Sequence, residues 1–208
     1  MRATPETLLI GTMSLFALAG VTAVYLDDVG PDEAWPIDVT PIDVVPIELS
    51  PRPSIPATVD AAAWFQSIRQ YCNPVEVETR LRWQPAPDSE NGSMHEAACY
   101  ALAGKIDHAR RVIESLPRDR QYHAAGVVFN AGHPAADAGD ELAAGPLMEL
   151  VVEFWPNHYQ ALYHAGASSY QRGDYLASER YLTRFLEEYS TEDGFWSNAQ
   201  AMLEAMGA

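Results

Sequence analysis

The sequence predicts an all-α protein in three parts: a single membrane-spanning helix, an extended proline-rich arm and a domain of stacked helix pairs. Three observations carry this. A run of 19 uncharged residues lies near the start, prolines then recur at every fifth position, and from residue 60 onward the apolar positions follow a helical period that repeats after 34 residues.

The span comes first. Residues 8–26 read LLIGTMSLFALAGVTAVYL, and at about 1.5 Å per helical residue this run measures roughly 28 Å, close to the hydrocarbon thickness of a bilayer. A cleaved secretory signal is the rival reading, because Ala17-Leu18-Ala19 resembles a small-x-small cleavage site. The anchor is preferred: Arg2 is offset by Glu6, and the apolar run continues seven residues past the candidate site. Either way the rest of the chain leaves the cytoplasm. Arg2 and the terminal amine precede the span, while Asp27, Asp28, Asp32 and Glu33 follow it, so residues 1–7 are expected inside and the C-terminal part outside. This reads as a single-pass protein of a bacterial inner membrane with a periplasmic domain. No cysteine ends the apolar run, which argues against a lipid anchor.

The arm occupies residues 27–58. Prolines stand at 31, 36, 41, 46, 51 and 56, with one more at 53, and the units that start at 36, 41 and 46 have the form Pro-Ile-(Asp/Glu)-(Val/Leu)-x. Each proline fixes its own φ and pushes the residue before it toward extended backbone, so helix is excluded and polyproline II is favoured. At about 3.1 Å per residue the arm could reach roughly 100 Å. Spacing by five alternates the prolines between the two edges of an extended strand, which disfavours addition to a partner's sheet. A stiff solvated spacer is one reading. Trp35, Ile37, Val39, Ile42, Val44, Val45, Ile47 and Leu49 are too apolar for an ordinary linker and favour an arm laid against a partner or against its own domain.

The helical domain spans residues 59–208. Thr58-Val59-Asp60 can cap a helix running to Tyr71, and Asn73-Pro74 can cap a second. Residues 75–83, VEVETRLRW, alternate with period two, which is strand-like, so this segment stays open between helix and strand. Residues 159–192 carry a family signal: Gly166 at a small first-helix position, Gly173-Asp174-Tyr175 at the turn, Ser178 at the small second-helix position, and Leu182 and Phe185 at its apolar positions. Thirty-four residues earlier, Ala131-Gly132, Gly139-Asp140, Leu142 and Met148 fall under Ala165-Gly166, Gly173-Asp174, Leu176 and Leu182. Tyr100, Gly104, Ala109, Ile113 and Leu116 fit a third, weaker unit if one residue is inserted before Gly139.

This pattern resembles the tetratricopeptide repeat, a 34-residue helix pair. The resemblance places units near 90–124, 125–158 and 159–192, with a capping helix at 193–206 that includes Trp196, Ala199 and Leu203. It implies an αα-hairpin solenoid whose first helices line a peptide-binding groove, with Tyr122, Val128, Asn130, Tyr159, Tyr163 and Tyr170 as groove candidates. Rings packed between helices are the competing role for any one of them. The middle unit departs from the pattern: His133-Pro134 is expected to end its first helix early, and Pro146 to kink its second or replace a turn by a loop.

Chemistry is sparse. Cys72 and Cys99 are the only cysteines, and an isolated pair outside the cytoplasm is expected to form a disulfide. His95 and Cys99 have ligand spacing on a helix, but no second such pair exists. The histidines at 108, 123, 133, 158 and 164 form no HExxH array, and no GxSxG, P-loop or haem-attachment motif occurs. No metal, cofactor or catalytic residue is therefore assigned, and Glu76 and Glu78 read as a solvated face.

Charge speaks to partners. The 208 residues hold 13 basic and 29 acidic side chains, net −16, which excludes nucleic acid as the default partner. Residues 27–60 carry eight acids and one arginine, net −7, and residues 61–208 carry 20 acids and 11 basic residues, net −9. Spread evenly, this is solubility; gathered on one face, it would steer a basic soluble protein. The even spread is preferred. Together these readings predict a non-enzymatic scaffold, accessory or assembly subunit of a larger membrane complex, for which a respiratory or photosynthetic electron-transfer complex is one host. A tethered peptide-binding or envelope-assembly factor is the alternative, and an unrecognised hydrolase or metal enzyme the third.

Overall fold

The computed structural model describes residues 53–208, which lie within one unit of the chain, Ser50–Ala208. The span predicted at 8–26 and the arm up to residue 52 lie outside the described residues. Among those described, no helix is long and apolar enough to cross a membrane. The described part is all-α, with nine α-helices and one 3-10 turn and no strand.

The described end of the arm, from residue 53, closes on the domain. Ile55 packs half-buried on the core, its carbonyl accepts the Asp88 N–H at 2.9 Å, and it forms a single parallel bridge with Pro87. Pro53, Pro56 and Pro87 have no N–H to give, so the bridge cannot grow into a ladder. Asp60 then caps α1 (Ala61–Ile68), its Oδ1 accepting the Ala63 N–H at 2.8 Å, and a 3-10 turn carries the chain on to Tyr71.

Residues 75–83, open between helix and strand, contribute to α2 (Val77–Trp83). Asn73 Oδ1 accepts the N–H groups of Val75 and Glu76 at 3.1 and 3.0 Å, which starts the winding. Val77 and Leu81, four apart, are the buried pair, while Val75 and Trp83 are 86% and 69% exposed. The alternation hid an i, i+4 pair, and no extended neighbour is present among the described residues to pair with a strand.

Helix α3 (Glu90–Leu102) is capped by Ser89, whose Oγ accepts the Gly92 N–H at 3.0 Å. Its start lies so close to the preceding loop that a Cβ on Gly92 would sit 1.9 Å from the Pro87 carbonyl oxygen. Cys72 and Cys99 are joined, Sγ to Sγ 2.03 Å, tying the turn after α1 to α3. Then come α4 (Ile106–Glu114), α5 (Arg118–Asp137), α6 (Glu141–Phe154), α7 (Tyr159–Gln171), α8 (Tyr175–Glu188) and α9 (Gly194–Met206). Helices α3 and α4, α5 and α6, and α7 and α8 pack as successive pairs; α6 packs on α7, and α9 covers α7 and α8.

The three turns within these pairs are built alike. In each, glycine takes a positive φ, 68° at Gly104, 84° at Gly139 and 76° at Gly173. The residue after the glycine donates to a carbonyl five back: Lys105 to Tyr100, Asp140 to Ala135, Asp174 to Ser169. Only glycine adopts that backbone without strain, and the bond absorbs a carbonyl the helix end leaves open. Asp140 and Asp174 next cap α6 and α8 by accepting from Ala143 and Ala177. At corresponding positions of α4, α6 and α8, Ala109, Ala144 and Ser178 are buried, and the Ser178 hydroxyl donates to the Gly166 carbonyl at 3.0 Å. Leu142 and Leu176 also correspond, but both face solvent.

Neither proline of the second pair interrupts its helix. α5 continues through Pro134 to Asp137, and α6 runs through Pro146 without a loop. Each proline withholds an N–H from the carbonyl four residues earlier, those of Asn130 and Leu142. Both residues are exposed, where a freed acceptor costs little, and the helices run on.

Candidate functional site

The groove candidates separate into different environments. Tyr122 is 44% exposed and meets Trp155 edge-on at 5.3 Å. Tyr159 is exposed and stacks on Tyr189 at 5.0 Å. Tyr163 is only 8% exposed, held edge-on between Phe185 and Phe195 at 5.3 and 5.0 Å. Tyr170 stands apart, paired with Tyr175 at 5.8 Å near the α7–α8 turn. Asn130 is exposed, and Val128 is fully buried.

Tyr122, Tyr159 and Tyr163 belong to one continuous run of ring contacts. From Tyr122 it passes through Trp155 to His158, and from His158 to Phe129, His133 and His164 on one branch and to Tyr159 and Tyr189 on the other. Between α7, α8 and α9 the run encloses a cavity of about 80 Å³ lined by Tyr159, Gln160, Tyr163, His164, Phe185, Tyr189 and Phe195. That volume suits one side chain and falls well short of an ordinary ligand pocket. The Tyr189 hydroxyl donates to Asp193 Oδ2 at 2.6 Å, which holds the Asp193 carboxyl below its ordinary value and raises the Tyr189 phenol. Burial raises the Tyr163 phenol, opposed by a hydrogen bond from Asn198.

Beside that cavity lies a cluster the sequence did not announce. His133 and Asp137 stand one turn apart on α5, His133 Nδ1 3.4 Å from Asp137 Oδ2. His164 of α7 brings a ring nitrogen to them, so that one donor atom from each of the three residues lies within 4.8 Å of the others. Glu141, opening α6, reaches back to His164 Nδ1 with its two carboxylate oxygens at 3.0 and 3.1 Å. A carboxylate only accepts, so Nδ1 carries a proton and Nε2 is the nitrogen left for any other partner. His164 is buried, His133 half-buried and Asp137 exposed, giving a donor set that opens to solvent on one side. His158 lies across Phe129 from His133; burial lowers its pKa, and its Nδ1 accepts the Ala161 N–H at the start of α7.

The missed signal was legible in principle. His133-x-x-x-Asp137 is ligand spacing on a helix, but reading His133-Pro134 as a helix end removed it from view. His164 comes from the next helix pair, and only packing brings it in.

A second exposed feature sits on α2. Val75 and Trp83 flank Thr79 and Arg80, whose guanidinium covers the Tyr71 ring at 3.4 Å. The predicted arm contacts Trp35, Ile37, Val39, Ile42, Val44, Ile47 and Leu49 lie outside the described residues. No family model matches the chain, and neither curated proteins nor solved structures provide a match.

Proposed function

We propose that the chain is a non-enzymatic, membrane-anchored subunit on the extracytoplasmic side that scaffolds or helps assemble a larger membrane complex, binding through its proline arm and the surface of a tetratricopeptide-like helical domain. The observation that carries this reading is the set of three helix pairs closed by the same glycine turn, with aromatic rings running from α5 to α9 and reaching the surface at Tyr122, Tyr159 and Phe195. Exposed, rigid aromatic side chains backed by a packed scaffold are the usual anchors of protein interfaces. The Cys72–Cys99 bond supports an oxidising compartment, and the apolar metered arm supports a standing contact with a neighbour.

The test is purification of the full chain in a gentle detergent, with mass spectrometry of what remains in fixed stoichiometry. A variant lacking residues 31–56 is run alongside. Copurification of a membrane complex that the variant loses is the expected result. A chain that runs alone in both forms overturns the subunit reading. The cavity under Tyr159 favours a second reading, a tethered factor that takes one side chain of a peptide in passing. Under that reading the arm deletion leaves peptide capture intact.

A further inference from the structure

We infer that His133, Asp137 and His164 form a binding site for a divalent transition metal, zinc being the best match, with Glu141 as the residue that orients His164. Imidazole and carboxylate are the ligands zinc takes from protein, at about 2.0–2.2 Å, and tetrahedral bonds of that length put neighbouring donor atoms roughly 3.3 Å apart. The observed 3.4 Å between His133 Nδ1 and Asp137 Oδ2 is already that edge. Closing separations of up to 4.8 Å to that edge takes movements of up to about 1.5 Å, shared among the three side chains.

The surroundings suit a metal better than a pair of isolated ion contacts. His164 Nδ1–H donates to both oxygens of Glu141, and this carboxylate–histidine arrangement holds the ring and would leave Nε2 as the nitrogen for a metal. Phe129 packs flat on His133 at 4.5 Å and holds its ring. Asp137 is exposed, so the fourth position is left to water or to a partner's side chain. The site joins α5 to α7, that is, the second helix pair to the third, beside the cavity that His164 also lines. Metal here would clamp the two pairs at the face where the aromatic rings emerge.

The experiment uses the full chain in detergent, free of any histidine tag, stripped with chelator and re-exposed to zinc sulfate. Metal per chain is read by elemental analysis after desalting, affinity by titration, and geometry by the visible absorption of the cobalt-substituted protein. One zinc per chain, a tetrahedral cobalt spectrum and a zinc-dependent rise in melting temperature are expected. H133Q and D137N change half-buried and exposed positions, so they should fold like the parent and melt at the same temperature without metal. Each should weaken zinc at least tenfold and abolish the zinc-dependent rise. E141Q should weaken it about tenfold while keeping the cobalt geometry, since Gln still accepts from Nδ1. H108Q, on a histidine stacked against Tyr100 in α4, should bind like the parent. No retained zinc in the parent overturns the inference, and so does uptake that H133Q and D137N leave unchanged or that H108Q removes.

Discussion

The closest test of the packing is a pair of chemically identical substitutions expected to move stability in opposite directions. Gly145 lies inside α6 against α7. An added Cβ there would fall 1.9 Å from Ser168 Oγ, 2.5 Å from Ser168 Cβ and 2.9 Å from an Arg172 guanidinium nitrogen. Turning the serine removes the first contact but not the second, because a Cβ moves only with its helix. The helices must therefore part by about an ångström, and such overpacking costs roughly 1–3 kcal/mol. Three contacts under 3 Å put this site in the upper half of that range, about 2–3 kcal/mol; alanine's helix propensity returns about 0.8–1 kcal/mol, which leaves Gly145→Ala destabilising by about 1–2 kcal/mol. Gly126 is also inside a helix, α5, but its added Cβ would meet only Trp155 Cζ3, at an ordinary 3.6 Å. Gly126→Ala should then stabilise by about 0.5–1 kcal/mol. Denaturant unfolding followed by circular dichroism measures both, and for a domain of this size G145A should melt about 2–8 °C lower. Ser168→Gly in the G145A background empties the space, so the double mutant should be more stable than the sum of the two single changes. A neutral or stabilising G145A, or additivity in that cycle, refutes the close approach of α6 and α7.

Three further outcomes follow from the same structure. Replacing Cys72 and Cys99 with alanine should cost about 3.5 kcal/mol, from the chain entropy of a cross-link with sequence separation 27; unfolding of the oxidised chain with and without reductant reads the same quantity, and equal midpoints refute it. Burial lowers the His158 pKa below its ordinary 6.5, so the unfolded state takes up a proton that the folded state refuses. The stability this residue contributes is complete above pH 6.5 and declines as pH falls from 6.5 toward the folded value. His158→Asn keeps an acceptor for the Ala161 N–H, and the slope of stability against pH below 6.5 should flatten in that variant. Arg110 binds Glu153 through Nε at 2.9 and 3.0 Å and Asp107 through a terminal nitrogen. The pair is largely exposed, so Glu153→Gln should cost less than about 1 kcal/mol and the cost should fade in high salt; a larger, salt-independent loss would contradict the exposed geometry.

Much of the fold was legible because its determinants are local. Asp60, Asn73, Gly104, Gly139 and Gly173 act within four or five residues of themselves, through a cap, an Asx turn or a positive φ. The cysteine pair was legible because two sulfurs leave one bond to make. Residues 75–83 were ambiguous for a physical reason: Val77 and Leu81 satisfy both period two and i, i+4, and only burial separates them. Gly145 was illegible, since nothing near it in the chain indicates that Ser168 will press on it. The same holds for Tyr163, which packs against Phe195 on a helix that starts only at Gly194.

The cluster at His133 shows how one local misreading conceals a site. A proline within a helix costs most where the carbonyl it abandons is buried. Asn130 and Leu142 face solvent, so at Pro134 and Pro146 that cost is small and the helices run on. Once α5 is continuous through residue 137, His133 and Asp137 occupy one face. The position that follows from stacking the next pair is His164, buried where its Nδ1–H needs an acceptor. Glu141 supplies that partner from the first turn of α6, where a carboxylate is also favoured by the helix dipole. Each residue here has an adequate local reason to be where it is; a bound metal would give His133, Asp137 and His164 one common reason to converge, and H133Q and D137N are the variants that decide it.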